Sequence, residues 1–353
     1  MDDRWGALLT AVGLCAAAVI AGVAGGLMLT ANGANPAPAV IHEHKLRFLA
    51  VGDLNLGRAV GQKILEGDTL FPFAAVRDTF AQYDLVFGNL ESDISDQHGE
   101  TQDPDNNLVF TAPPAAARSL ALGGLGVVST ANNHALDYGL RATRETMQAL
   151  RSGGIPFAGS SMEPAKLFDP VILERKGIRI ALVACTDLMN MEDSSWRRTV
   201  TPADTGRVFP RLRSVRDSVD FIIVSYHGGE EYAGRPSART LAFGRGALAS
   251  GADLFLGHHP HVPYGIERQN GRYIVPSLGN FVFSQPSRYW TQRSFAFGGT
   301  ILKDASGTRL SEFHCLPVRC GFQPVFLGEG PEADSIYERI HMQSIPTLAE
   351  KEQ

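Results

Sequence analysis

Five apolar runs in this chain are short enough to be single strands, and each leads into residues able to bind a cation. Residues 46–51 (LRFLAV) precede Asp53 and Asn55, and residues 84–87 (DLVF) precede Glu91. Residues 126–129 (GVVS) lead to Asn133 and His134, and residues 221–225 (FIIVS) lead to His227. The fifth, 252–256 (ADLFL), stops at Gly257 and is followed by His259 and His261, two imidazoles one residue apart. Such continuous runs predict strands buried on both faces, as in a parallel sheet. Helical spacing lies between them: Leu140, Thr143, Met147 and Leu150 recur over residues 139–153 before a Gly-Gly stop, and residues 237–250 have a similar texture. Alternating strands and helices predict a mostly parallel α/β sheet, and such sheets place ligands outside the carboxyl ends of their strands.

Taken singly, each candidate has an ordinary explanation. Asp53 suits a turn or helix cap, Asn132 and Asn133 suit a turn, and His134 could cap the following helix. Glu91 could be a solvated acid, and His227 a turn histidine before Gly228 and Gly229. Independent turns rarely end on ligand types at strand after strand, so the functional reading belongs to the set. Carboxylate, amide and imidazole donors together suit Mn, Fe or Zn. The seven candidates Asp53, Asn55, Glu91, Asn133, His227, His259 and His261 exceed the needs of one ion. With a shared carboxylate they suit two neighbouring ions, the arrangement that clamps a transferring phosphoryl group. His134 is the candidate acid for protonating a leaving oxygen.

Later residues change texture. Asn270-Gly271 and Arg175-Lys176-Gly177 are flanked by β-type runs and predict hairpins, and 295–302 with 310–318 add antiparallel candidates. The expected body is therefore one sandwich-like α/β domain with mixed sheets. At 353 residues, 44% hydrophobic, the chain can bury a full core. A formal charge of -5 gives no nucleic-acid footprint. Of the four cysteines, Cys315 and Cys320 either bridge or stay as buried thiols, and no zinc-type Cys-x-x-Cys pair exists.

The amino terminus carries the compartment signal. Residues 5–31 contain no charged side chain and exceed the roughly 20 residues that cross a bilayer. Residues 1–31 are read as an uncleaved transmembrane signal-anchor, with a cleaved signal as the alternative. Arg4 before the run favours a cytoplasmic amino terminus. A linker at 32–44 containing Pro36 and Pro38, a body at 45–320 and a polar carboxy-terminal extension at 321–353 would follow. The expected location is the cell membrane, single-pass, with the soluble domain on the extracytoplasmic side.

Six motifs occur in order: GDLNLGR at 52–58, GNLE at 88–91, ANNHALDYG at 131–139, HGGEEY at 227–232, GHHPHV at 257–262 and SLGNF at 277–281. Together they resemble the bacterial capsule synthesis protein CapA family of poly-γ-glutamate biosynthesis. That family resembles the calcineurin-like metallophosphoesterase superfamily, which implies a four-layer α/β sandwich with a two-metal centre. The resemblance implies that Asp53 and His261 hold one ion and that Glu91 bridges. It gives Asn133, His227 and His259 to the second ion and the acid role to His134. Arg58, Glu231 and Tyr232 match positions that would orient a substrate anion.

Two departures from the superfamily pattern stand out. Asn55 occupies a position where histidine is usual, and Asn-Leu-Glu replaces an aspartate-containing motif. An amide oxygen binds a transition metal more weakly than imidazole does, which would weaken the first site. Within the capsule family, Gly228 stands where tryptophan is usual. The implied partners are the membrane and a polyanionic capsule polymer or its synthase subunits. Two function classes stay open: a metal-dependent hydrolase of phosphoesterase type, or a non-catalytic accessory or polymer-binding subunit of a capsule synthesis and export complex. No Gly-rich phosphate-cradling loop is present, which argues against ATP-driven ligation by this chain.

Overall fold

The computed structural model describes residues 43–342. The expected membrane anchor (1–31) and nearly all of the linker fall outside the described residues. Among the described residues, no helix is long and apolar enough to cross a membrane. In chain order the elements are β1 (His44–Leu54), α1 (Arg58–Leu65), α2 (Arg77–Phe80), β2 (Leu85–Leu90), β3 (Asp93–Ile94), β4 (Thr111–Ala112), α3 (Ala116–Gly123), β5 (Val127–Ser129) and α4 (Gly139–Ser152). They continue as β6 (Phe157–Ala158), β7 (Val171–Arg175), β8 (Ile178–Thr186), α5 (Thr205–Val215), β9 (Phe221–His227), α6 (Ala238–Ala249) and β10 (Leu254–His258). They end with β11 (Glu267–Gln269), β12 (Arg272–Val275), β13 (Asn280–Val282), β14 (Arg293–Asp304), β15 (Gly307–Arg319), β16 (Val325–Phe326) and α7 (Pro331–Met342).

Two mixed sheets result. One has the order β16-β15-β14-β1-β2-β5-β6, with β13 also paired to β1. Within it β1, β2, β5 and β6 run parallel, while β14 is antiparallel to β1. The other has the order β11-β12-β10-β9-β8-β7, parallel from β12 to β8 and antiparallel at both edges. Both expected hairpins form, and each turn uses two left-handed residues: Lys176 (φ 48°) with Gly177 (φ 75°), and Asn270 (φ 51°) with Gly271 (φ 77°). This is the pairing that matches the twist of the flanking strands.

Side-chain alternation along the strands builds the layers. Leu46, Phe48 and Ala50 of β1 join Phe221 and Ile223 of β9 in the core between the two sheets. The opposite face of β1, Leu49 and Val51, packs against Val60 and Ile64 of α1 and Leu120 of α3. Ile222 and Val224 of β9 turn outward to Leu212 of α5 and Phe243 of α6. Helix, sheet, sheet and helix thus stack in the four-layer order implied by the resemblance. Full burial of each such aliphatic or aromatic side chain contributes about 1.5–3 kcal/mol. Ile336 and Ile340 of α7 join the inter-sheet core, so residues 321–342 pack onto the same body. Cys315 and Cys320 are free, and burial pushes both thiols up to about 12. Of the two alternatives for this pair, unbridged thiols are the outcome.

Two glycines let the backbone close beneath the strand ends. A Cβ on Gly52 would lie 1.8 Å from the Gly279 carbonyl oxygen, and one on Gly257 would lie 1.9 Å from that of Pro276. Both obstacles are backbone and have no rotamer to yield. We therefore expect Gly52→Ala to destabilise the fold by at least the upper end of the roughly 1–3 kcal/mol range of overpacking. A fall in urea midpoint at constant m-value would report it; an unchanged midpoint would refute this account of the packing.

Candidate metal centre

Parallel pairing delivers the chemistry to one edge. In the first sheet Asp53 sits in register with Asn89 of β2 and with Asn280 of β13. In the second, His227 and His258 are neighbours at the ends of β9 and β10. Register thus gathers Asp53, Asn89 and Asn280 in one sheet and His227 with His258 in the other, and the turns add Glu91, Asn133, His134, His259 and His261.

These side chains converge in two groups. Ligand atoms of Asp53, Glu91 and His261 all lie within 4.8 Å of one another, and so do those of Glu91, His227 and His259. Glu91 belongs to both. Its Oε1 is 3.7 Å from His227 Nε2, 3.9 Å from His261 Nε2 and 4.0 Å from His134 Nε2. Asn133 completes the second group, with its Oδ1 2.7 Å from His227 Nε2. Asn55 behaves differently: its Oδ1 accepts from the Gly57 N–H at 2.9 Å and shapes its own turn. His134 stacks on Phe110 at 4.2 Å and sets Nδ1 2.8 Å from Asp137 Oδ2, which turns Nε2 toward Glu91.

The three candidate substrate contacts form part of the rim. Arg58 packs its guanidinium 4.5 Å from the Phe110 ring centroid and donates from Nη2 to the Asn107 carbonyl. Glu231 is about half exposed, with Oε1 4.0 Å from His261 Nε2. Tyr232 stacks on His261 with 6.0 Å between centroids. A side chain at Gly228 would strike the Tyr226 hydroxyl at 2.8 Å, so this chain fills with Tyr226 the space beside that position. Arg58, Tyr232, His259 and His261 all have positive φ, between 51° and 94°. Non-glycine residues rarely adopt this conformation, and such strain clusters at functional sites.

Several supporting residues escaped attention although they lie inside the quoted motifs. His258 places Nδ1 3.0 Å from Asp53 Oδ1. Asn89 donates to Asp53 Oδ1 at 3.0 Å, and Asn280 Oδ1 meets His261 Nδ1 at 2.9 Å. Asp137 lies three residues after His134, a helical-turn spacing that could have flagged it.

The electrostatics ask for positive charge. Both oxygens of Glu91 are buried with no hydrogen-bond partner, and His259 Nδ1 and His258 Nε2 are buried and unpaired as well. A buried carboxylate in this condition is costly unless a cation meets it. Burial, with Asp53 and Glu231 nearby, holds the Glu91 carboxyl well above its usual range. Burial also pushes Asp53 upward, but its hydrogen bonds to His258 and His261 outweigh that and hold it well below. Burial and the neighbouring His259 keep His227 neutral, and burial and His261 lower His259 to about 3. Neutral imidazoles around a shared carboxylate are the protonation states a divalent cation requires.

A family model described as "Bacterial capsule synthesis protein PGA_cap" matches residues 47–285. The chain is 31% identical over 248 residues to "PGA biosynthesis protein CapA" of Bacillus subtilis (strain 168), covering 69% of this chain and 63% of that protein. It is 28% identical over 255 residues to "Capsule biosynthesis protein CapA" of Bacillus anthracis, covering 70% and 61%. The matches thus span less than two thirds of those relatives. Among solved structures, it is similar to the calcineurin-like phosphoesterase YfkN from Bacillus subtilis, at 13% identity and TM-score 0.47, covering 85% of this chain and 98% of that one.

The titrations give a signed test. Because the folded value of Glu91 is raised, its contribution to stability is complete below about pH 4.3 and is lost as pH rises through the folded value. His227 and His259 act oppositely, contributing above about pH 6.5 and losing that contribution as pH falls. In EDTA at pH 8, Glu91→Gln should therefore be more stable than wild type by about 1–3 kcal/mol. In Mn2+ the order should reverse, as wild type gains stability and the variant gains little. Urea midpoints at pH 5.5 and 8 would measure both; a variant less stable than wild type in EDTA at pH 8 would refute the buried-charge account.

Proposed function

The chain belongs to the family of bacterial capsule synthesis proteins, and from that membership we propose that it is a divalent-metal-dependent hydrolase of phosphoesterase type, anchored in the membrane and working on the outside of the cell in assembly of a polyanionic capsule polymer. The observation that carries this reading is the Glu91 carboxylate, buried, without a hydrogen-bond donor, and shared by two ligand groups. The residues fit two ions of the Mn, Fe or Zn type: Asp53, Glu91 and His261 for one, and Glu91, Asn133, His227 and His259 for the other. When bound, such ions supply Lewis acidity toward a phosphoryl oxygen.

The protein's own groups take the remaining tasks in this proposal. Asp137 accepts the Nδ1 proton of His134 and so points the other ring nitrogen at the reacting centre, where it can give a proton to the departing oxygen. Phe110 holds that ring flat against its face, and the same phenyl group carries Arg58. Arg58 is thereby poised to meet an anionic oxygen of the substrate while its stem stays packed. Glu231 and Tyr232 form the part of the wall beside His261, and anchorage through residues 5–31 would keep the site near polymer leaving the membrane.

A second reading is favoured by Asn55, whose oxygen is committed to Gly57, leaving the first group with a single imidazole. In that reading the domain is a non-catalytic accessory or polymer-binding subunit beside a membrane synthase. Elemental analysis of the purified chain and assay on a generic phosphodiester separate the two. The hydrolase reading expects about two bound ions and turnover that His134→Gln lowers by about 10²–10⁴-fold with metal content unchanged. Metal-free protein without turnover would overturn it. Normal capsule production in cells carrying His134→Gln and His261→Ala, with loss on deleting residues 1–31, would establish the accessory role instead.

A further inference from the structure

Asn280 lies in the SLGNF motif, to which the reading above gives no task, and it is fully buried. Its amide makes three hydrogen bonds. Nδ2 meets the Thr291 carbonyl at 2.8 Å and Gln285 Oε1 at 3.0 Å, and Oδ1 meets His261 Nδ1 at 2.9 Å. A backbone carbonyl can only accept, so the group facing Thr291 must be the NH₂, which leaves the oxygen to face the histidine. That oxygen also only accepts, so His261 must carry a proton on Nδ1, which lies 2.9 Å from Asn280 Oδ1 and 3.5 Å from Asp53 Oδ2. In the neutral ring that a metal ligand requires, Nε2 then presents its lone pair toward Glu91, 3.9 Å away.

The string extends to the rim. Gln285, having accepted from Asn280 through Oε1, donates from Nε2 to the Tyr232 hydroxyl at 3.1 Å. Tyr232 in turn stacks on the ring of His261. Its backbone holds a left-handed φ of 61°, and the Arg288 guanidinium lies 4.5 Å from its ring centroid. Asn280 and Tyr232 therefore grip one imidazole from two sides, by hydrogen bond and by face, and Gln285 ties the two together.

We propose that Asn280, supported by Gln285 and Tyr232, is a positioning residue that fixes the tautomer and ring plane of His261, so that Nε2 is the nitrogen offered to the first metal ion. This rests on the metal reading given above. A ligand imidazole whose second nitrogen is held by an outer acceptor is both oriented and made more basic, and loss of such an acceptor costs about 10–100-fold in metal affinity.

The test is Mn2+ and Zn2+ titration of the full-length chain, wild type against Asn280→Asp, Asn280→Leu and Tyr232→Phe. Asn280→Asp keeps an oxygen for the Nδ1 proton but loses both donations, while Asn280→Leu loses all three bonds. A merely structural role would injure both alike. We expect one of two ions to bind about 10–100-fold more weakly in Asn280→Leu, with the second ion unaffected, and Asn280→Asp to stay close to wild type. Tyr232→Phe keeps the stack and should shift affinity much less than Asn280→Leu. Visible absorption of the Co2+-loaded protein would report altered coordination in Asn280→Leu alone. Wild type that binds two ions with no difference among the variants, or with equal losses in Asn280→Asp and Asn280→Leu, overturns this inference and leaves the metal reading standing. Wild type that takes up no metal overturns both. Should Asn280→Leu fail to fold, Gln285→Leu replaces it, expected to weaken the same single ion, and an unchanged titration there overturns the proposal.

Discussion

One desolvated carboxylate organises this molecule. Glu91 sits at the join of two sheets with neither oxygen satisfied by a donor, and three imidazoles approach it at 3.7–4.0 Å. Water cannot solvate it there, and no donor among the described residues hydrogen-bonds to its oxygens. Polar groups are expelled from a core unless something repays their burial. The retention of this one, with His227 and His259 kept neutral beside it, is what an ion-shaped cleft looks like from the protein's side.

The layered architecture explains how residues from opposite ends of the domain reach that carboxylate. Parallel strands in two facing sheets all finish at the same edge, so ligand groups need only follow the last residue of each strand. Helices on both outer faces bury the central strands β1, β2, β9 and β10, which keeps the strand ends in register. Glycines at 52 and 257 then let the neighbouring backbones close under the cleft. The same geometry separates tasks: strand ends and the turns after them supply ligands, while the start of α1 supplies Arg58 and the turn after β9 supplies Glu231 and Tyr232 at the rim.

Much of this was legible in the residues themselves. The apolar runs at 46–51, 221–225 and 252–256 are read correctly because a strand buried on both faces has no polar face to blur its signal. The hairpins at 175–177 and 270–271 were visible because each left-handed turn places a glycine, Gly177 or Gly271, between β-type runs. Asp53, Glu91, Asn133, His227, His259 and His261 do meet, whereas Asn55 turns to its own backbone. What escaped was the supporting shell. His258, Asn89 and Asn280 matter through partners up to 205 residues away in sequence, and no local pattern encodes which amide faces which ring. Likewise, the packing of α7 depends on Ile336 and Ile340 meeting a core built by distant strands, contacts that its reading as a polar helix or tail does not reveal.

The left-handed residues around the cleft carry an evolutionary implication. Each of the four holds a conformation that costs an ordinary side chain about 1–2 kcal/mol. Glycine at any of them would relieve the chain and at the same time remove a guanidinium, a phenol or an imidazole. Selection for thermal endurance by itself would drift toward that relief, and only selection for what the cleft does can hold these side chains in place. A sturdier descendant of this protein that had lost its purpose should be recognisable by glycine at positions 58, 232, 259 or 261.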